Sequence, residues 1–166
     1  MTDSIVLKIN GREESVRLKP YDTLSRVLRD ELGMIGTKRG CDYGGCGACT
    51  VSIDGKAVYS CMFPAHYAEG KEILTLEGLA PIGGALSMIQ ESFLVNGGLQ
   101  CGYCTSGIMI STKCLLDKNP NPSLNDIQEA LAGNICRCTG YGRILESIFA
   151  AAKSLREVKL GAPIPK

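Results

Sequence analysis

Net charge is almost missing from this chain of 166 residues: 18 lysines and arginines stand against 17 aspartates and glutamates, a formal balance of +1. Neither sign gathers into a stripe. That argues against a nucleic-acid binder, which needs a basic face. It also argues against a freely diffusing carrier steered by a strong field, and fits a permanent subunit better. Long apolar runs are missing too, so no segment reads as a membrane span. The opening Met1-Thr2-Asp3-Ser4 has no basic start and no apolar core of a signal peptide. A cytoplasmic protein is expected, unless a partner carries it out. There is one histidine, His66, for which a packing or surface role is expected. No Ser/His/Asp set, no nucleophile elbow and no G-x-G-x-x-G after a strand can be found. Chemistry is therefore expected to be done elsewhere, with no substrate site and no catalytic residue in this chain.

What the chain does have is nine cysteines and twenty glycines, the glycines crowding near the cysteines. In a reducing compartment, dense cysteine means metal or catalysis before disulfides. Eight cysteines form two quartets. Cys41, Cys46, Cys49 and Cys61 read C-x4-C-x2-C-x11-C, whose first three spacings match the plant-type ferredoxin pattern for a 2Fe–2S cluster. Gly40, Gly44, Gly45 and Gly47 allow the tight loop that backbone N–H groups need to reach cluster sulfurs. Cys101, Cys104, Cys136 and Cys138 read C-x2-C-x31-C-x-C. Spacing alone leaves this quartet open between a second 2Fe–2S cluster and zinc, although a C-x-C pair is atypical of structural zinc. Cys114 belongs to neither quartet and reads as a small buried hydrophobe. Lys38, Arg39 and Arg137 flank ligands and read as solvated or partner-facing. Tyr43 and Tyr103 read equally well as shields against water or as ordinary packing.

The periodicity changes halfway along the chain. Ile5, Leu7 and Ile9 alternate up to Asn10-Gly11, and Val16 and Leu18 alternate beyond it, which predicts a hairpin. Asp22 or Thr23 can cap a helix with Leu24, Val27, Leu28 and Leu32 on one face and Gly33 past its end. A second hairpin is predicted across Asp54-Gly55 and a last strand over residues 72–76. Ala80-Pro81-Ile82-Gly83-Gly84 reads as a linker. Four helices are predicted after it. The first carries Leu86, Ile89, Phe93 and Leu94, and the second runs from near Cys104 to about Leu116. The third is capped by Ser123 with Asp126 three residues on, and the fourth carries Ile144, Leu145, Ile148, Phe149, Ala152 and Leu155. The reading is an α+β chain with one domain over residues 1–78, a helical domain over 85–157 and a tail over 158–166. The tail is expected to wrap a partner or stay loose.

Three runs in this order carry a resemblance: Gly40-Cys41-Asp42-Tyr43-Gly44-Gly45-Cys46-Gly47-Ala48-Cys49-Thr50, Gln100-Cys101-Gly102-Tyr103-Cys104-Thr105, and Gly133-Asn134-Ile135-Cys136-Arg137-Cys138-Thr139-Gly140-Tyr141. Together they resemble the iron–sulfur subunit of the molybdenum hydroxylases, the family of xanthine dehydrogenase, aldehyde oxidoreductase and carbon monoxide dehydrogenase. The resemblance extends from about Ser4 to about Leu155. It implies a β-grasp, plant-type ferredoxin-like domain followed by a four-helix bundle, each holding a 2Fe–2S cluster. It implies a large subunit with molybdopterin beside the bundle cluster and a subunit with FAD beside the other, in a heterotrimer or a dimer of heterotrimers. It also implies that Gln100 and Cys138 contact the pterin. One departure stands out. The family commonly has proline where this chain has Ser106, and serine can cap the helix there instead. Two rivals are a stand-alone ferredoxin-like carrier and a zinc-stabilised interaction module.

Overall fold

A computed structural model describes residues 3–80 and 83–159. The first hairpin forms as its alternation requires. Strand β1 (Asp3–Ile9) pairs antiparallel with β2 (Arg12–Leu18), with Ile9 opposite Arg12. Asn10 and Gly11 take positive φ, the turn whose twist suits two joined strands. Ile5, Leu7, Ile9, Val16 and Leu18 all point into the core.

The predicted first helix is only partly α-helical. Helix α1 (Leu24–Arg26) passes directly into a π-helix over Val27–Glu31. There Leu32 N–H reaches back to the Val27 carbonyl, and Met34 N–H to that of Leu28. The wider turn keeps Leu24, Val27 and Leu28 fully buried on one side. The expected cap is also absent. Thr23 makes no side-chain cap bond, and Asp22 instead accepts from Lys19 N–H at 2.8 Å and pairs with Arg26.

Strands β3 (Thr50–Ile53) and β4 (Lys56–Tyr59) form the second hairpin across Asp54-Gly55. Strand β5 (Glu72–Leu74) is shorter than its alternation predicts. The side chain of Asn10 clips Thr75, accepting its N–H at 2.9 Å and donating to its hydroxyl at 3.0 Å. The chain then turns into a 3-10 helix over Leu76–Gly78. The mixed sheet has the order β2-β1-β5-β3-β4, with β1 and β5 parallel.

Four helices follow: α2 (Met88–Val95), α3 (Thr105–Lys118), α4 (Leu124–Leu131) and α5 (Gly142–Lys159). Both α2 and α4 begin with capping boxes, Ser87 with Gln90 and Ser123 with Asp126. The inward face of α2 is narrower than predicted: Ile89 and Phe93 are buried, while Leu86 and Leu94 are exposed. Helix α3 is buried on most sides because it lies between the sheet, where it meets β3 and β4, and helices α2 and α4. Helix α5 runs to Lys159, past the predicted domain end at 157, so residues 158 and 159 are helical rather than tail; residues 160–166 of the predicted tail, Pro81 and Ile82 of the predicted linker, and residues 1–2 lie outside the described residues.

Two apolar clusters result. Ile5, Leu7, Leu24, Leu28, Val51 and Ile73 belong to one; Phe93, Ile108, Ile127, Ile144 and Ile148 belong to the other. No helix among the described residues is long and apolar enough to cross a membrane.

Candidate metal centres

The first quartet sits on a loop bent by positive φ at Asp42, Gly44 and Gly47. Asp42 is the non-glycine exception, and its carboxylate is held by the Arg39 guanidinium at 2.7 Å. Arg39 is thus ion-paired, also reaching Asp30, rather than free for a partner. Glycine is required at position 40 on contact grounds, since a Cβ there would lie 2.9 Å from the Cys46 sulfur. The β3–β4 hairpin returns Cys61 to Cys49. Ser60 binds the Cys49 carbonyl through its hydroxyl at 2.7 Å and its N–H at 3.3 Å. Cys49 and Cys61 are buried, whereas Cys41 and Cys46 are half-buried.

The second quartet joins two loops. Cys101 precedes α3 and Cys104 is its N-cap; Cys136 and Cys138 lie between α4 and α5. Cys138 Sγ and Cys101 Sγ are 3.4 Å apart at the surface. Cys104 and Cys136 are half-buried and interact with each other. Tyr141 braces the turn: its hydroxyl accepts Cys136 N–H and donates to the Asn134 carbonyl, both at 2.9 Å.

The thiols divide by environment. Backbone N–H groups, chiefly that of Tyr43, bring Cys41 down to about 7. Cys101 is lowered in the same way, first by the N–H of Tyr103. Burial pushes Cys61 and Cys104 up to about 12 and raises Cys46 as well. At Cys136 burial pulls upward, but hydrogen bonds from the hydroxyl and N–H of Thr139 outweigh it and the thiol is lowered. Cys138 is raised, first by its contact with Cys101. Donors aimed at sulfur stabilise thiolate, the form that binds metal.

These residues fit 2Fe–2S clusters. Each quartet supplies four sulfurs with no competing nitrogen or oxygen ligand, and the sulfurs meet two by two: Cys41 with Cys46, Cys49 with Cys61, Cys101 with Cys138, and Cys104 with Cys136. Each iron of such a cluster takes two protein ligands. N–H groups already point at sulfur, as from Gly45 to Cys41 at 3.3 Å and from Thr139 to Cys136 at 3.5 Å. Among the described residues no three His, Cys, Asp or Glu side chains are grouped to hold a single metal ion.

The other singled-out residues take plainer places. Gln100 is exposed beside Cys101, and Arg137 is exposed. Cys114 is buried and its thiol is raised, mainly by desolvation. His66 packs near the Lys19 carbonyl, 3.3 Å away. Tyr43 is exposed, while the Tyr103 hydroxyl donates to the Arg39 carbonyl at 2.7 Å. Ser106 does not cap α3: it is buried and its hydroxyl has no hydrogen-bond partner. One further residue has no role legible in the sequence beyond its place in a motif. Asn134 is buried where the two cysteine loops meet, and its only sequence signal is a polar residue wedged between glycine and the apolar Ile135.

Comparison with known proteins agrees with this geometry. Residues 7–77 match the family of 2Fe-2S iron-sulfur cluster binding domains, and residues 75–149 match the 2Fe-2S binding domain family. The xanthine dehydrogenase iron-sulfur-binding subunit of Escherichia coli O157:H7 is 43% identical over 155 residues, covering 92% of this chain and 96% of the relative. The nicotine 6-hydroxylase small subunit of Paenarthrobacter nicotinovorans is 44% identical, covering 89% and 88%. Among solved structures, quinoline 2-oxidoreductase from Pseudomonas putida 86 superposes with a TM-score of 0.89 at 40% identity, covering 94% of this chain and 97% of that one. Aldehyde oxidoreductase from Desulfovibrio gigas gives the same score at 37% identity, but this chain spans only 17% of it. With a ferredoxin-like domain, a mixed sheet, five helices and both cluster-binding families matched, the chain belongs to the iron–sulfur subunits of the molybdenum hydroxylase family.

Proposed function

We propose that the chain relays electrons between a molybdopterin centre in a large subunit and FAD in a further subunit. Cys41, Cys46, Cys49 and Cys61 would hold one 2Fe–2S cluster, and Cys101, Cys104, Cys136 and Cys138 the other. When bound, each cluster supplies a one-electron redox centre. The chain's own residues supply thiolates, aim N–H donors at them and limit the access of water. The observation that carries this reading is that each quartet has an outer and an inner pair. Cys101 and Cys138 are exposed while Cys104 and Cys136 are half-buried; Cys41 and Cys46 are half-buried while Cys49 and Cys61 are buried. Two centres that each meet the surface on one side suit a relay with two ends. The exposed Gln100 and Cys138 are the residues proposed to face the pterin. The proposed organisation is a ferredoxin-like domain over 1–78 and a four-helix bundle over 85–157. The separate apolar clusters support it. A heterotrimer, or a dimer of heterotrimers, and a cytoplasmic site belong to the same proposal.

The test is purification of the native complex under anaerobic conditions, with metal, sulfide and flavin analysis and mass spectrometry of copurifying chains. Equimolar iron and acid-labile sulfide in this chain, with molybdenum and flavin in its partners, is the expected result. Zinc without iron or sulfide would refute the reading. An iron-loaded lone monomer would favour the stand-alone carrier.

A further inference from the structure

Between the two cysteine loops lies a polar seam that ligation by itself does not require. Asn134, only 3% exposed, stands two residues before Cys136. Its amide nitrogen donates to the Gly47 carbonyl at 3.0 Å and to the Thr50 hydroxyl at 3.2 Å. Its amide oxygen accepts from the Ser111 hydroxyl at 2.7 Å. One side chain thereby ties the stretch between Cys46 and Cys49, the start of β3 and the middle of α3. The main chain adds a direct link, Ile135 N–H to the Cys46 carbonyl at 2.9 Å. Ligand residues of the two quartets, Cys46 and Cys136, are thus separated by one hydrogen bond and one residue.

The backbones are pressed close here. A Cβ on Gly47 would run into the Gly133 carbonyl oxygen, and one on Gly107 would run into the Gly47 carbonyl oxygen. Shape alone could be met by an apolar side chain at 134. Such a side chain would leave the Ser111 hydroxyl without its acceptor, at the full desolvation cost of that group, while the Gly47 carbonyl would keep only the Thr50 N–H and hydroxyl. A buried polar network with every partner satisfied selects one arrangement over its neighbours. The arrangement selected here is the separation of the two loops that carry the ligands.

We propose that Asn134 is a positioning residue for electron passage between the two centres, fixing the loop of Cys46 and Cys49 against the loop of Cys136 and Cys138. The proposal rests on the reading of both quartets as 2Fe–2S ligands. In the step it serves, one electron leaves one cluster, which is oxidised, and enters the other, which is reduced; no bond is made or broken. Tunnelling rates fall steeply with separation, so loosening this seam slows the step without removing a ligand.

The experiment uses the complete chain in its native complex, as wild type and as Asn134→Ala. Iron and sulfide content, the paramagnetic resonance spectra of the fully reduced protein and the exchange rate of the Ile135 amide are measured. The wild type should show two signals that broaden each other. Asn134→Ala should keep its iron and both signals, lose that mutual broadening, and exchange the Ile135 amide about 5- to 150-fold faster, the factor for losing a buried hydrogen-bond partner. Unchanged broadening and unchanged Ile135 exchange, with a lowered Tm only, would reduce Asn134 to structural filling and overturn the proposal. Ser111→Ala keeps the question open to test if Asn134→Ala does not fold. A smaller change in the same direction supports the proposal, and no change overturns it. A wild type lacking iron and sulfide would instead overturn the two-centre reading, and this proposal with it.

Discussion

Replacing Gly47 with alanine tests whether the loops truly interlock. Gly47 has φ of +71°, a conformation that costs an L residue about 1–2 kcal/mol. An added Cβ would also strike the Gly133 carbonyl oxygen and lie 2.6 Å from Asn134 Nδ2 and 3.0 Å from Asn134 Cα. Two of these three atoms are backbone and the third belongs to a buried amide, so nothing can swing aside. Overpacking of this kind costs about 1–3 kcal/mol. Loss of the Asn134 bond to the Gly47 carbonyl adds about 1 kcal/mol. The sum is about 3–6 kcal/mol, a large share of the roughly 5–15 kcal/mol that holds a domain folded. At about 2–4 °C per kcal/mol for a chain of this size, the melting temperature should fall by about 6–24 °C. Gly55→Ala is the matched control. Its φ is +75°, but nothing lies within 4 Å of the added atom. It should cost only the conformational part, about 1–2 kcal/mol or 2–8 °C. Anaerobic thermal melts of the loaded protein, followed by circular dichroism and cluster absorbance, give both numbers. Equal shifts for the two variants would refute the interlock, because they share backbone strain and differ only in what the new methyl meets.

Other outcomes follow from the same geometry. Cys61→Ser should abolish the paramagnetic signal of the first centre and leave that of the second, since the two halves have separate apolar clusters; loss of both signals would contradict that independence. Ser123→Ala removes the α4 capping box and should lower stability by about 1 kcal/mol in urea denaturation. The Ser123 N–H and hydroxyl hold the Asp126 carboxylate below its ordinary range. Its contribution is therefore present above the unfolded value of about 3.9 and fades as pH falls through the lower folded value. Asp126→Asn, which cannot ionise, should flatten the acid limb of the stability curve, and an unchanged limb would refute Asp126 as its source. Gln100→Ala should weaken assembly with the molybdenum subunit or slow reoxidation of the pterin centre without loss of iron; unchanged assembly and turnover would remove Gln100 from the pterin contact.

Much of this was legible in the chain itself, for local reasons. The Asn10-Gly11 and Asp54-Gly55 turns declare their hairpins because only certain residues tolerate those angles. Ser123 and Asp126 announce α4, and Ser87 with Gln90 is the same kind of local signal for α2. Cysteine spacing gave both quartets, since ligand chemistry tolerates few substitutes. What stayed hidden depends on contacts distant in sequence. The π-helix over Val27–Glu31 bonds one residue further back than an α-helix, and no local signal at Thr23 or Asp22 foretells it. Thr75 ends β5 through Asn10, 65 residues away. Gly47 was legible as a flexible loop residue, yet its contact demand comes from Gly133. Asn134 carries no such local signal because its partners, Gly47 and Thr50 in one stretch and Ser111 in another, are distant in sequence. Ser106 matches a helix-start pattern, but burial leaves its hydroxyl with nothing to cap.

The seam has a bearing on how such proteins can be recombined. Most interfaces between folded units are lined by side chains, and a poor match can be repaired by repacking them. Here the closest approaches are main chain against main chain, Gly47 against Gly133 and Gly107, with Gly133 also facing the Tyr59 hydroxyl. A main-chain surface has no spare rotamers. A chimera that exchanges the first half for another ferredoxin can repack its apolar cluster if volume and pattern are kept, but it must import the glycine at 47 and the space it leaves. The halves are interchangeable parts only for donors cut to the same outline.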